Sequence, residues 1–182
     1  VVGSVSGTTD FLVAGEKAHT GPHGAHRLAS NSLLEGLVFA HRASLVAPQM
    51  MAHAPEAIDP DVPDWNTGFA KNPDENVLIA HAWEEMRTLM WNYVGIVRSN
   101  KRLERAQRRS ELLNQEIGED YWRFTLSRDL LELRNIARVG HLIIESALSR
   151  HESRGLHYTV DYPQHDDAHF KRDTVLKKGK RR

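Results

Sequence analysis

In the second half of the chain, apolar residues return every three or four positions, and that period predicts amphipathic helices. Ile79, Trp83, Met86, Met90, Tyr93 and Val97 make one stripe; Leu103, Ala106, Ser110, Leu113 and Ile117 make a second. Leu130, Leu133, Ala137, Ile144 and Leu148 make a third. Asn72-Pro73-Asp74-Glu75 is a start signal for the first helix, with a cap residue, a proline at the first helical position and acids in the first turn. The second helix is expected near Asn100 and the third after Ser127. Short connections between amphipathic helices imply antiparallel neighbours, so residues 77–150 read as a three-helix bundle.

The first 47 residues have a different texture, rich in Gly, His and small side chains. Val1-Val2 and Phe11-Leu12-Val13-Ala14 are short apolar runs bounded by turn residues, as buried strands are. Ser32-Leu33-Leu34-Glu35 has capping-box spacing, which predicts a helix from Ser32. Leu34, Leu37, Val38, His41 and Leu45 give that helix one face, and Pro48 is its expected stop. Residues 48–76 hold five of the seven prolines and read as a linker, with Trp65 and Phe69 expected to pin it to a neighbour. Residues 151–182 complete the chain as a C-terminal extension ending in the basic run Lys177-Lys178-Gly179-Lys180-Arg181-Arg182.

Composition narrows the function classes. The 182 residues carry 24 Lys+Arg against 24 Asp+Glu, which argues against a general nucleic-acid binder. No run of about 18 apolar residues is present, so no membrane-spanning helix is expected. With no cysteine, thiolate nucleophiles, disulfides and Cys-ligated metals are excluded, and a reducing cytoplasm suits the chain. Val1-Val2-Gly3-Ser4 resembles neither a start site nor a signal peptide, and reads as a chain entered partway through a strand.

The densest chemistry lies between Gly15 and Glu35. A strand end leads into a Gly/His-rich loop and then a helix start. Gly21 and Gly24 allow close backbone approach, the N–H groups at Ser32 and Leu33 favour negative charge, and Arg27 adds a planar cation suited to a carboxylate. An anion-binding loop and a plain capped turn are equally good readings of this pattern. His19, His23 and His26 are close in sequence, but no fourth ligand is evident, so no metal is assigned. His165-Asp166-Asp167-Ala168-His169 reads as a solvated turn. Arg98, Arg102, Arg105 and Arg109 share a helix face, read as solvated.

The run from Gly15-Glu16 through Thr20-Gly21, His23-Gly24-Ala25, Arg27 and Asn31-Ser32-Leu33-Leu34-Glu35 resembles the last flavin-binding motif of the succinate dehydrogenase and fumarate reductase flavoprotein superfamily. Arg27-Leu28-Ala29-Ser30-Asn31-Ser32 resembles its L-aspartate oxidase branch, as do Trp91-Asn92-Tyr93-Val94-Gly95-Ile96-Val97-Arg98 and Glu152-Ser153-Arg154-Gly155-Leu156-His157-Tyr158-Thr159 followed by Asp161-Tyr162-Pro163. The resemblance implies a mainly α fold: a bundle preceded by the closing strand–loop–helix piece of an α/β FAD-binding domain, the latter over residues 1–47. It implies FAD as cofactor, with Glu16 on the ribitol or ribose and the Ser32 and Leu33 amides at the flavin pyrimidine edge. It implies Arg27 as the ligand of a carboxylate of L-aspartate or fumarate. The implied reaction is oxidation of L-aspartate to iminoaspartate in NAD biosynthesis, with the upstream part of the enzyme and quinolinate synthase as candidate partners. His26 stands where the family usually has Asn, and no GxGxxG fingerprint occurs in the chain. A fumarate reductase or succinate dehydrogenase flavoprotein fragment is the nearest alternative, and a non-enzymatic helical interaction module the next. Arg154 reads equally as a strut between bundle and flavin domain or as a plain surface salt bridge.

Overall fold

The computed structural model describes residues 3–4, 12–15, 18, 23, 29–52, 63–64, 66–71 and 77–177. The chain divides into two compact units, Val1–Asp64 and Trp65–Arg182.

In the first unit, β1 (Gly3–Ser4) pairs antiparallel with β2 (Leu12–Val13), in the register Gly3 opposite Val13 and Ser4 opposite Leu12. β2 falls within the second apolar run; Val1-Val2 lies outside the described residues. Gly15 follows with φ of 81°, a left-handed conformation that glycine adopts without a Cβ penalty, and Ala18 N–H closes the turn onto Gly15 O at 2.9 Å. Helix α1 (Ala29–Ala52) comes next. It corrects the sequence reading at both ends. It starts three residues before Ser32, so Ser32 is not its cap: the hydroxyl donates to Ala29 O at 2.5 Å, and Glu35 pairs with His23. Pro48 lies inside the helix, because helix-forming Ala47, Gln49, Met50 and Met51 flank it and the missing N–H interrupts the ladder only once. No described residue of α1 is buried, and Leu34, Leu37 and Leu45 are exposed.

The second unit is the three-helix bundle. Helix α2 (Val77–Val94) is followed by β3 (Val97–Arg98), α3 (Asn100–Arg123) and α4 (Arg128–Ser149). Asn72-Pro73-Asp74-Glu75 lies outside the described residues. Ser99 caps α3 by accepting from Arg102 N–H at 3.4 Å, and Ser127 caps α4 by accepting from Leu130 N–H at 3.2 Å. All five α3 stripe residues are buried, as are Leu130, Leu133, Ala137 and Ile144 of α4. In α2, Ile79 and Met86 are buried while Trp83, Met90 and Tyr93 pack partly buried against the core. Val97 falls past the helix end and is exposed; Leu89 and Val94 complete the core in its place. At Gly140 α4 lies close against α2: an added Cβ would meet Met86 Cε at 2.2 Å and Met90 Sδ at 3.3 Å.

The described part of the linker joins the bundle through its backbone. Lys71 N–H donates to Arg123 O at 3.1 Å and Thr125 N–H to Lys71 O at 2.8 Å. Phe69 is fully exposed, which corrects the expectation that it pins the segment down; Trp65 lies outside the described residues. Beyond α4 the extension returns to the bundle. β4 (Tyr158–Thr159) pairs parallel with β3, and α5 (Asp167–Phe170) follows. Residues 178–182 of the basic run lie outside the described residues.

Candidate functional site

Two groups of residues carry the chemistry of this chain, one in each unit. In the first unit, the end of β2, the Gly15 turn and the first turns of α1 lie together, with Gly36 set so that an added Cβ would sit 3.8 Å from Gly15 Cα. His23 bonds Glu35, tying the loop to the helix. Ser32, fourth residue of α1, is half-buried, and Leu33 is 82% exposed. The fourth residue of a helix already donates to the cap carbonyl, as Leu103 does to Ser99 O and Leu131 to Ser127 O, so the orphan N–H groups of α1 are those of its first turn, ahead of Ser32 and Leu33. The helix N-terminus therefore opens at Ala29, two residues after Arg27. Arg27 and Glu16 lie outside the described residues, as do His19 and His26.

This edge fits a flavin in three respects. Among the described residues nothing lies within 4 Å of the Gly15 Cβ position, which leaves that backbone open to a ligand. The α1 N-terminus supplies N–H groups and the positive end of the helix dipole, which favour an electron-rich ring edge. Leu33 presents an apolar side chain to solvent beside them.

In the second unit, the extension builds a charged clamp that the sequence did not disclose. Glu152 is fully buried. Its carboxylate accepts Arg154 Nε–H and Nη2–H at 2.8 Å each and Asp166 N–H at 2.9 Å, with Arg150 Nη2 at 3.5 Å. The Arg154 fork, with the Asp166 amide and Arg150 behind it, holds the Glu152 carboxyl down at about 2, against the opposing effect of burial. Arg154 also reaches Asp167, at the start of α5. It is thus a strut within the extension, with its counter-charge buried, and not a plain surface salt bridge. Asp166 and Asp167 are the far side of this clamp instead of a free solvated turn, since Asp166 also caps α5 by accepting from His169 N–H at 3.1 Å. Ser153 Oγ donates within reach of Thr159 O (3.2 Å) and Tyr162 O (2.8 Å) and accepts from Thr159 N–H at 3.0 Å, fixing β4.

His157 joins this clamp to the bundle. Arg98 can only donate, so His157 Nδ1, 2.8 Å from Arg98 Nη1, is the acceptor, and Nε2–H donates to Arg150 O at 3.2 Å. That fixes a neutral Nε2–H tautomer. Burial pushes the imidazole below its ordinary range, and the nearby Arg98 and Arg150 charges add to the effect. Gly155, with φ of 58°, makes the turn that brings His157 back onto Arg154.

Along the arginine stripe Arg102, Arg105 and Arg109 are exposed and Arg98 is half-buried. Arg98 precedes α3 and meets His157, Arg102 donates to Val97 O at 3.3 Å, Arg105 lies over the Tyr93 ring at 5.8 Å, and Arg109 pairs with Glu85. From Arg102 to Arg109 the stripe is the solvated face that the spacing predicts, with Glu85 and Tyr93 of α2 along its edge. Ser110, His141 and Glu145 align as hydroxyl, imidazole and carboxylate, with 3.0 Å between Ser110 Oγ and His141 Nδ1 and 3.3 Å between His141 Nε2 and Glu145. Ser110 is wholly buried and its hydroxyl is directed at Gln107 O at 2.9 Å, so no substrate carbonyl can reach it. The row is packing. Among the described residues no helix is long and apolar enough to cross a membrane.

A bundle whose C-terminal extension folds back through a buried carboxylate and a parallel two-residue ladder defines the class. Residues 83–182 match the family described as Fumarate reductase flavoprotein C-term, and the chain belongs to that family. Among its relatives, the chain is 52% identical over 167 residues to L-aspartate oxidase 1 of Ralstonia nicotianae, covering 90% of this chain and 31% of the relative. It is 52% identical over 162 residues to L-aspartate oxidase of Pseudomonas aeruginosa, covering 89% of this chain and 29% of the relative. Among solved structures it resembles a quinol-fumarate reductase with menaquinol molecules, at a TM-score of 0.71 and 27% identity, covering 87% of this chain and 30% of that one. A Mycobacterium smegmatis Sdh1 complex in the apo form gives a TM-score of 0.61 at 27% identity, covering 85% and 28%. The chain therefore spans about 30% of the length of the curated relatives it matches, and corresponds to their C-terminal region.

Proposed function

We propose that this chain is the C-terminal part of an FAD-dependent L-aspartate oxidase, converting L-aspartate to iminoaspartate once joined to the upstream region that carries the rest of the flavin site. The observation that carries the reading is the identity of about one half to L-aspartate oxidases over nine-tenths of the chain. It favours this activity over the fumarate reductase and succinate dehydrogenase branch, where the solved structures match at 27%. When bound, FAD supplies the two-electron acceptor for the amino acid. The residues of this chain supply position and charge. Glu16 takes a ribitol or ribose hydroxyl. The start of α1, where the resemblance puts the Ser32 and Leu33 contact, turns the positive end of the helix dipole to the pyrimidine edge and stabilises negative charge there. Arg27, two residues before α1, grips a substrate carboxylate in a bidentate fork and so fixes the α-carbon against the ring.

In this reading residues 1–47 close the flavin domain, 48–76 connect, 77–150 form the bundle and 151–182 lock it from behind. The ligands are L-aspartate or fumarate, the first partner is the upstream portion of the enzyme, and quinolinate synthase is the acceptor of the product. A cytoplasmic location goes with a chain that has no cysteine.

Arg27→Lys tests the assignment in the chain fused to the upstream region of the Ralstonia relative. Lys keeps the charge and loses the fork, so kcat/KM for L-aspartate should fall ~100-fold or more while FAD affinity is unchanged. Equal losses of flavin affinity and activity would make Arg27 a cofactor residue, and unchanged kinetics would remove it from the site.

A further inference from the structure

Arg98 is a half-buried guanidinium with no acidic partner among the described residues. It has five N–H donors. One, on Nε, goes to Val94 O at 3.1 Å, and one, on Nη1, to His157 Nδ1 at 2.8 Å. Neither partner carries a negative charge, because His157 is held neutral and Val94 offers a carbonyl. Burial accordingly pulls the Arg98 pKa down, the mark of a cation that has lost water without gaining a counter-ion.

This guanidinium lines a cavity of about 330 Å³ with Val139, Leu142, Ile143, Arg150 and Thr174. Arg150, the second cation of the wall, is already committed to Phe170 O at 2.5 Å, Arg172 O at 2.6 Å and the Glu152 carboxylate at 3.5 Å. The floor is the outward stripe of α4, where Val139, Leu142 and Ile143 remain 54%, 42% and 41% exposed at i, i+3 and i+4 spacing. The cavity thus pairs one unspent planar cation with an apolar floor.

We propose that this cavity binds a small monocarboxylate with a compact apolar body, the carboxylate forking onto Arg98 and the body lying on Val139, Leu142 and Ile143. The planar fork matches a carboxylate better than a tetrahedral anion. The volume is at the small end for ligand pockets, which suits a single ring or a branched chain. With Arg150 taken, a second carboxylate on the ligand would lie on the apolar floor with no cation of its own, so L-aspartate and fumarate are poor occupants and the site is independent of the proposed reaction.

The test is calorimetric titration of the folded 182-residue chain with 3-phenylpropionate, compared with acetate, 3-phenylpropionamide and inorganic phosphate. We expect saturable one-site binding with Kd of roughly 0.1–1 mM, and at least about tenfold weaker binding of each comparator. Arg98→Gln should abolish it. Because Arg98 also anchors β3, Thr174→Glu is the second variant: Thr174 is exposed at the cavity, and a carboxylate there should weaken binding by about tenfold or more with the fold intact. No saturation below about 10 mM, equal affinity for acetate or phosphate, or unchanged binding by a folded Thr174→Glu chain would each overturn the proposal.

Discussion

Replacing Glu152 by Gln keeps the shape of the buried side chain and removes its charge. In the native chain that carboxylate receives two Arg154 N–H groups and the Asp166 amide at 2.8–2.9 Å, with no solvent contact. The amide retains one acceptor oxygen but turns an NH2 toward a site built only of donors, and it leaves Arg154 with the half-exposed Asp167 alone. Breaking a buried pair costs about 3–5 kcal/mol; one surviving acceptor places this change near the lower end, about 3 kcal/mol. A suitable control is Glu132→Gln, which removes the exposed i,i+4 pair with Arg128 and should cost no more than about 0.5 kcal/mol. Urea unfolding followed by helical circular dichroism reads both. The depressed Glu152 pKa adds a second arm. A carboxyl held at about 2 when folded, against 4.5 when unfolded, contributes stability that is complete above pH 4.5 and lost as pH falls toward 2. The Gln variant should lack that part of the acid limb. A Glu152→Gln cost equal to that of Glu132→Gln, or an unchanged acid limb, would refute the clamp.

His157 acts with the same sign in a higher pH window. Its folded pKa lies below the ordinary 6.5, so the unfolded chain binds the extra proton first, and stability should fall as pH drops through about 6.5. His157→Gln should flatten that slope in urea midpoints taken between about pH 7.5 and 5.5. At the α2–α4 contact, Gly140→Leu should destabilise by about 1–3 kcal/mol, since buried Met86 must move; a thermal melt matching the parent would contradict the packing. Phe124→Ala, at 9% exposure, should cost about 3–5 kcal/mol. Phe69→Ser, at a fully exposed position, should stay within about 0.5 kcal/mol in the same unfolding assay.

The bundle was legible because one physical rule, burial of a 3.6-residue stripe, governs α3 and α4 from end to end; Leu103, Leu113, Leu130 and Ile144 needed no other information. The clamp was not, because its contacts follow no period. Glu152 meets Arg154 two residues on and Asp166 fourteen residues on, while Arg98 meets His157 across 59 positions. The resemblance marked Glu152–Thr159 as a signature without showing that it encloses a buried carboxylate. Ser32 misled because a capping box is a local pattern, and Ala29 and Ser30 extend the helix past it. The arginine stripe was legible as a solvated face, since Arg102, Arg105 and Arg109 are exposed; its contacts with Glu85 and Tyr93 were not, because spacing shows only which side chains share a face.

If this chain completes an L-aspartate oxidase, as proposed, joining it to the missing region must yield that activity. Fusing its 182 residues to the upstream region of the Ralstonia nicotianae relative, loading the product with FAD and measuring peroxide release tests it most directly. The claim predicts oxidation of L-aspartate by the fusion, no oxidation by either part alone, and no comparable oxidation of succinate. A folded, flavin-loaded fusion that oxidises succinate in preference to L-aspartate, or that oxidises neither, would contradict it.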